Sequence, residues 1–214
     1  MIDRYGVTFF IYKDFKVVAE KNYLIHPQYI VMVLALFGVT ALFLGFSGSY
    51  LYNRVQQGVL PVAIPSLFYF NSLLLLGSSF TMWKAKQAYT EDHTDHFRKY
   101  LMITLLLTIA FLIAQYFAWK QMLGNNVALN HSTMASYLYL ISGLHFAHVI
   151  LGIPFLVYFI LEAYKKMKSP VTVLLYFSDP AKKRILTLLN IYWHFLDGLW
   201  IYLVVFFFVN YLIK

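Results

Sequence analysis

The sequence predicts an all-α integral membrane protein built as a bundle of five transmembrane helices, N-terminus cytoplasmic and C-terminus outside. Three observations predict it. Hydrophobic residues make up 61% of the 214-residue chain and charged residues only 12%, about half the charged share of a soluble domain. The apolar residues gather in five runs, each near the roughly 20 residues that cross a bilayer. The basic residues sit asymmetrically in the connections between those runs.

The first 27 residues mix charges of both signs along their length. They lack the apolar core and small-residue exit of a signal peptide, and are expected to lie along the membrane interface. Residues 28–214 form the transmembrane domain. Its spans are expected at 28–52, 65–84, 100–122, 135–161 and 188–212. Pro27 precedes the first, and Pro61 and Pro65 precede the second. Pro154 falls inside the fourth, where it should kink the helix and free a carbonyl. No internal repeat divides the chain.

Orientation follows from the cations. Arg4, Lys13, Lys16 and Lys21 precede the first span; Lys84, Lys86, Arg98 and Lys99 lie around the second connection. Lys165, Lys166, Lys168, Lys182, Lys183 and Arg184 lie around the fourth. The opposite side holds only Arg54, Lys120 and Lys214. The positive-inside rule places the basic side in the cytoplasm, and an odd number of spans agrees. The net charge of +8 is thereby read as membrane topology, not as a nucleic-acid surface. The chain has no Cys, which excludes disulfides, thiolate metal sites and thiol nucleophiles.

Polar residues within the spans narrow the reading further. Helices in lipid associate through small residues and hydrogen bonds. Gly38, Ala41, Gly45 and Gly48 form a small-residue face on the first span. Asn71, Ser78 and Thr81 share a face of the second, and Thr104, Thr108, Phe111 and Gln115 a face of the third. Ser142, His145, His148 and Gly152 line the fourth. Asn190, His194 and Asp197 line the fifth, with Trp193 and Trp200 beside them. Ser and Thr can satisfy themselves on their own helix; the amides of Asn71 and Gln115 need another helix or a partner chain. An ionised Asp at mid-membrane costs about 2.5–3.5 kcal/mol on insertion scales, so Asp197 should take a hydrogen bond from a His or Trp, or stay neutral.

A structural network of His145, His148, His194 and Asp197 joining the last two spans is the economical reading. A proton-handling or lipid-contact role, and a metal or haem site on the same four residues, are its rivals. Spans one to three carry no further His, which weighs against the metal. "TEDHTDHF", residues 90–97, offers Asp92, His93, Asp95 and His96 to a divalent ion, but reads more simply as a solvated turn whose acids favour the following helix start.

Four stretches carry a resemblance. "GLHFAHVILG" (143–152) resembles a G-x-H-x-x-H-V-x-x-G segment of subunit III of haem-copper oxidases, and "YWHFLDGLW" (192–200) its Y-W-H-F-V-D-x-x-W segment. "NSLLLLGSSFT" (71–81) is similar to its N-T-x-x-L-L-x-S-S-x-T run, and "FLIAQYFAW" (111–119) to its F-L-x-x-Q-x-x-E-W run. They fall in family order over residues 71–200, and the topology matches the five-helix bacterial form.

The resemblance implies a non-catalytic subunit of an aa3-type cytochrome c oxidase in the bacterial cytoplasmic membrane. It implies packing against oxidase subunit I, with subunit II and small subunits as companions and a respiratory supercomplex as a wider setting. Haem and copper are then held by the partner subunits, none by this chain, and structural phospholipid lies beside it. His145, His148, His194 and Asp197 match the family's intramembrane polar network; Asn71, Ser78, Ser79, Thr81 and Gln115 match other motif positions. Three positions depart: Gly38-Val39 stand where a Ser-Glu pair is frequent, Ala118 replaces a Glu, and Thr187 occupies a frequent acid position. Loss of the carboxylates at Val39 and Thr187 favours a structural, lipid-holding role over proton transfer. A quinol oxidase subunit III and a nitric oxide reductase accessory protein share these features. A free-standing His-ligated membrane enzyme and a small transporter are the rivals of other classes, though the chain shows neither the repeated halves nor the paired helix breaks of a transporter.

Overall fold

A computed structural model describes residues 26–124 and 132–213. The expected interfacial segment therefore lies, except for its last two residues, outside the described residues. Among those described there are six helices and no strands. They are α1 (Pro27–Gln57), α2 (Ser66–Thr90), α3 (Thr94–Gly124), α4 (Thr133–Lys166), α5 (Pro170–Phe177) and α6 (Pro180–Leu212).

A sixth helix appears beside the five expected spans because the fourth connection folds a short helix of its own. α5 has 8 residues, about 12 Å at 1.5 Å per residue, too short to cross a bilayer. Local sequence dictates it. Ser169 and Thr172 form a reciprocal capping box, and Pro170 occupies the first turn, where its missing N–H costs nothing. Asp179 then caps α6 by accepting from the backbone N–H groups of Ala181 and Lys182, again with Pro at the next position.

α1, α3, α4 and α6 are each long and apolar enough to cross a membrane. α2 has the length, 25 residues, but its polar positions dilute its apolar character. Four of the five expected spans extend well beyond their expected limits at the basic end. α2 runs on to Thr90, α3 begins at Thr94, α4 reaches Lys166 and α6 starts at Pro180. Helix continues there because capping, not hydropathy, sets its ends. α2 and α3 form a hairpin whose turn places Asp92 at φ +57°, a left-handed conformation that Asp tolerates better than most residues. α1 ends at Gly58 with φ +58°, the usual left-handed stop. α4 runs uninterrupted through Pro154.

α2, α3, α4 and α6 make a four-helix bundle, and α1 packs on the outside against α4 and α6. Only Phe43, Ser47 and Tyr50 of α1 are buried. Two arginines tie the ends together. Arg98 of α3 donates to the carbonyls of Ala163 (2.9 Å) and Met167 (2.6 Å), closing the C-terminus of α4. Arg54 of α1 donates to Asn210 Oδ1 (2.9 Å) and to the Ile213 carbonyl at the C-terminus of α6. Both place a cation on the negative end of a helix dipole.

Candidate functional site

The polar stripes converge on the interior of the four-helix bundle, and the contact between α2 and α6 organises them. Ser78 and Ser79 are consecutive on α2 and meet the consecutive pair Trp193 and His194 on α6. The Trp193 indole N–H donates to Ser78 Oγ at 2.9 Å. Ser79 Oγ and His194 Nδ1 share a hydrogen bond at 2.5 Å. The Ser79 hydroxyl also interacts with the carboxyl group of Asp197, one turn along α6. Ser79 thus stands between His194, to which it is bonded, and Asp197; the latter two make no direct hydrogen bond in the structure.

The expected four-residue network is accordingly divided. His145, fully buried, directs Nε2 at the Leu196 carbonyl of α6, 3.1 Å away; facing a carbonyl, that nitrogen donates. His148 bonds instead to Leu144 on its own helix at 2.7 Å, and its ring leans on Phe43 of α1. Only His145 joins α4 to α6 through a ring nitrogen. His148 contributes through its carbonyl, which accepts from the Tyr192 hydroxyl at 2.8 Å. Of the two alternatives expected for Asp197, a His or Trp donor is not found among the described residues, which leaves the neutral acid; the side chain that faces it is a serine from α2.

The remaining stripes pair as amides and hydroxyls do in lipid, across helices. Asn71 Nδ2 donates to Gln115 Oε1 at 2.8 Å, both buried. Thr81 and Thr104 share a bond at 2.8 Å, while Thr108 returns its proton to the Thr104 carbonyl. The Trp119 indole N–H donates to Ser142 at 3.1 Å. Trp200 is fully buried between Phe68 of α2, Phe111 of α3 and His145 of α4, with ring centres 5.2, 5.3 and 5.0 Å away.

Glycines divide into two kinds. A Cβ on Gly152 would meet the rings of Tyr192 at 3.0 Å and Trp193 at 3.1 Å, so this position lets α6 approach α4. Among the described residues, nothing lies within 4 Å of such an atom on Gly38, Gly45 or Gly48. The small-residue face of α1 is therefore not a contact with the other described helices. It looks outward, because α1 turns its Phe43, Ser47 and Tyr50 edge to the bundle.

A second cluster lies at the basic end, and the stripes gave no sign of it. Glu162, 7% exposed, is bonded by Lys166 at 2.5 Å and by Lys182 of α6. Tyr176 of α5 directs its hydroxyl at the same carboxylate, and Tyr89 of α2 donates to the Tyr176 carbonyl at 3.0 Å. Burial, reinforced by the Glu162 charge, pushes the Tyr176 hydroxyl well above its ordinary pKa, and burial with the charges of Asp179, Asp92 and Glu162 does the same to Tyr89. Both stay neutral donors. The cue in the sequence was a lone Glu at the end of an apolar run with Lys four residues on.

No group of three or more His, Cys, Asp or Glu that could hold a metal ion occurs among the described residues. His93 and His96 stack edge to face with ring centres 5.7 Å apart, and His96 lies against Tyr100, as a helix start packs.

The family model described as cytochrome c oxidase subunit III matches residues 52–211. A protein of Synechocystis sp. named cytochrome c oxidase subunit 3 is 29% identical over 179 residues, covering 80% of this chain and 71% of its own length. One of the same name from Thermostichus vulcanus is 26% identical over 187 residues, covering 83% and 86%. A probable cytochrome c oxidase subunit 3 of Mycobacterium bovis is 28% identical over 130 residues, covering 61% of this chain and 59% of its own length. The matched region holds every paired side chain of the α2–α6 contact, and the chain belongs to the cytochrome c oxidase subunit III family.

Proposed function

We propose that this chain is the non-catalytic subunit III of a bacterial aa3-type cytochrome c oxidase, stabilising the haem-copper subunit I and holding lipid beside it. The observation that carries this reading is where the polar side chains of the four motifs go. Ser78, Ser79, Asn71, Gln115, His145, Trp193 and His194 each bond another helix of the same bundle. Groups committed to holding helices together are not presented to a substrate. Haem, copper and the oxygen chemistry belong, on this reading, to the partner subunits, with subunit II and small subunits completing the complex. On this reading α1 to α4 and α6 cross the membrane, the lysine-rich end faces the cytoplasm by the positive-inside rule, and α5 lies at that interface.

The lipid-holding part draws support from the outer side of the bundle. An apolar groove of about 400 Å³ runs between α1, α4 and α6, lined by Met32, Ala35, Leu151, Phe155, Leu188 and Tyr192. Its walls have the character of an acyl-chain site. The exposed glycine face of α1, Gly38 and Gly45 included, is available to subunit I or to lipid.

The test is purification through a tag on this chain in mild detergent, read by mass spectrometry and a visible spectrum. Co-purification of a large haem- and copper-containing subunit is expected, and its companions identify cytochrome c or quinol as donor. A lone 25.0 kDa chain carrying its own stoichiometric metal or haem overturns the reading.

A further inference from the structure

At the centre of the bundle, four helices each bring one fully buried polar side chain to the same level. Asn71 (α2), Gln115 (α3), His145 (α4) and Trp200 (α6) all have no exposed surface. The level follows from the pairings on either side. Along α3 and α4, Arg98 meets Ala163 at one end and Trp119 meets Ser142 at the other. Counting evenly between them sets Gln115 opposite Phe146, next to His145, and the His145 ring meets Phe111 one turn from Gln115. Asn71 is bonded to Gln115 directly. Phe68, one turn from Asn71, and Phe111, one turn from Gln115 on the antiparallel helix, both touch Trp200. Trp200 therefore lies over the Asn71–Gln115 pair, and its ring is also against His145.

Each of the four has one polar atom without a partner among the described residues: Asn71 Oδ1, Gln115 Nε2, His145 Nδ1 and Trp200 Nε1. Their roles are fixed by chemistry. The Gln115 amide and the Trp200 indole have N–H to donate. The Asn71 oxygen accepts, and because His145 gives its Nε2 proton to the Leu196 carbonyl, the neutral ring accepts at Nδ1. Turning both amides end for end exchanges their roles and leaves the same inventory. Two donors and two acceptors therefore remain at this level of the bundle, where Phe68 and Phe111 pack on Trp200.

We propose that Asn71, Gln115, His145 and Trp200 form the binding site of an internal water molecule at the centre of the bundle. A water donates twice and accepts twice, which complements this set atom for atom. Buried waters typically make two to four such bonds, and a buried polar group left unmade is costly. A metal cation is a poor match, since two of the four groups present N–H to it. The water ties four helices together at one level, in addition to the direct α2–α6 contacts described above.

The test uses the full chain in its purified complex, reconstituted in lipid bilayers with ¹⁵N-labelled tryptophan. Water-edited solid-state NMR reads magnetisation passing from water to each indole. The chain has four tryptophans, and Trp200→Phe assigns the signal. Exposed Trp83 is the positive control, and buried Trp193, which has its bond to Ser78, is the negative one. The expected result is transfer to Trp200 as well as Trp83, with none at Trp193, and loss of the Trp200 transfer in Asn71→Leu. No transfer at Trp200 in the unaltered chain overturns the proposal, as does transfer that Asn71→Leu leaves unchanged. The unaltered chain decides the matter even where the variant does not fold.

Discussion

Trp193 donates its indole N–H to the Ser78 hydroxyl across the interface of α6 and α2, 2.9 Å away, with both side chains buried. The next residue on each helix repeats the contact as Ser79 with His194. Two successive bonds fix both the height and the rotation of α6 against α2. A single bond would leave rotation free. This matters in lipid, where apolar surfaces have little preference for one another over acyl chains and helix register has to come from packing and polar contacts.

Ser78→Ala leaves the Trp193 N–H buried without an acceptor. The expected loss is about 0.5–2 kcal/mol, between the usual range for interhelical bonds in membranes and the cost of an orphaned buried donor. Ser72 sits on the same helix but bonds only its own Phe68 carbonyl, so Ser72→Ala is the control and should be near neutral. Thermal unfolding of the purified complex in detergent measures both. Equal effects would deny the α2–α6 bond its role.

Asp197→Ala removes the acid that faces Ser79, which is bonded to His194. On the scaffold reading, less of the chain stays with the oxidase through purification, while haem per assembled enzyme is unchanged. Asp197→Asn keeps an acceptor for Ser79 and should retain more of the chain than Ala. Haem-to-subunit ratios by spectroscopy and quantitative mass spectrometry check this. Full retention with lost oxygen reduction would oppose it.

The bundle was legible in the sequence because hydropathy and polar periodicity are both recorded in composition. Each intramembrane polar stripe on α2, α3 and α6 does face the interior. Two things were not legible. Which polar group meets which depends on helix rotation, and rotation is set by the fit of large neighbours such as Trp193 against Gly152, a tertiary fact. Hence His194 and Asp197, one turn apart, look like a pair yet have Ser79 of another helix between them. The outward face of the α1 glycines was hidden for the same reason: small residues report that close approach is possible, not that it happens. α5 was missed because its six hydrophobic residues are too few to stand out beside 20-residue spans, although Ser169, Pro170 and Thr172 mark its start.

The two kinds of glycine should part in mutation. Gly152→Val forces the Tyr192 and Trp193 rings back, and Trp193 is held by Ser78. Overpacking of this sort costs about 1–3 kcal/mol, so the solubilised chain should lose stability. Gly45→Leu extends into open space and should leave the isolated chain as stable as before. Detergent melting curves of the chain alone, set beside recovery of the whole complex, read both effects. Reduced recovery for Gly45→Leu with an unchanged melting curve would assign the α1 face to a partner.

At the basic end, Lys182 reaches from α6 to Glu162 of α4 while lying over the Tyr176 ring of α5, 4.3 Å from its centre. Lys182→Ala therefore loosens three helices at once, and a hydrogen bond to a charged group is worth about 1.5–3 kcal/mol. Lys183, exposed beside it, is the control. Proteolytic nicking in the α4–α5–α6 connection should speed up in Lys182→Ala and not in Lys183→Ala. Equal rates would mean that the Glu162 cluster does not hold this end closed.

The chain has no Cys, so topology can be read by single cysteines without a background. α2 is the helix in question, since its polar face sets it apart from the four of clear spanning character. If α2 crosses, Leu60 before it and His93 after it lie on opposite sides of the membrane. Both are exposed, as is Lys168 in the basic connection after α4. Leu60→Cys should react with an impermeant thiol reagent applied outside intact cells. His93→Cys and Lys168→Cys should react only once the membrane is opened. Labelling of Leu60→Cys and His93→Cys from the same side would make α2 a re-entrant or interfacial helix, and would put the basic N-terminal segment and the lysine-rich connection after α4 on opposite sides, against the positive-inside assignment.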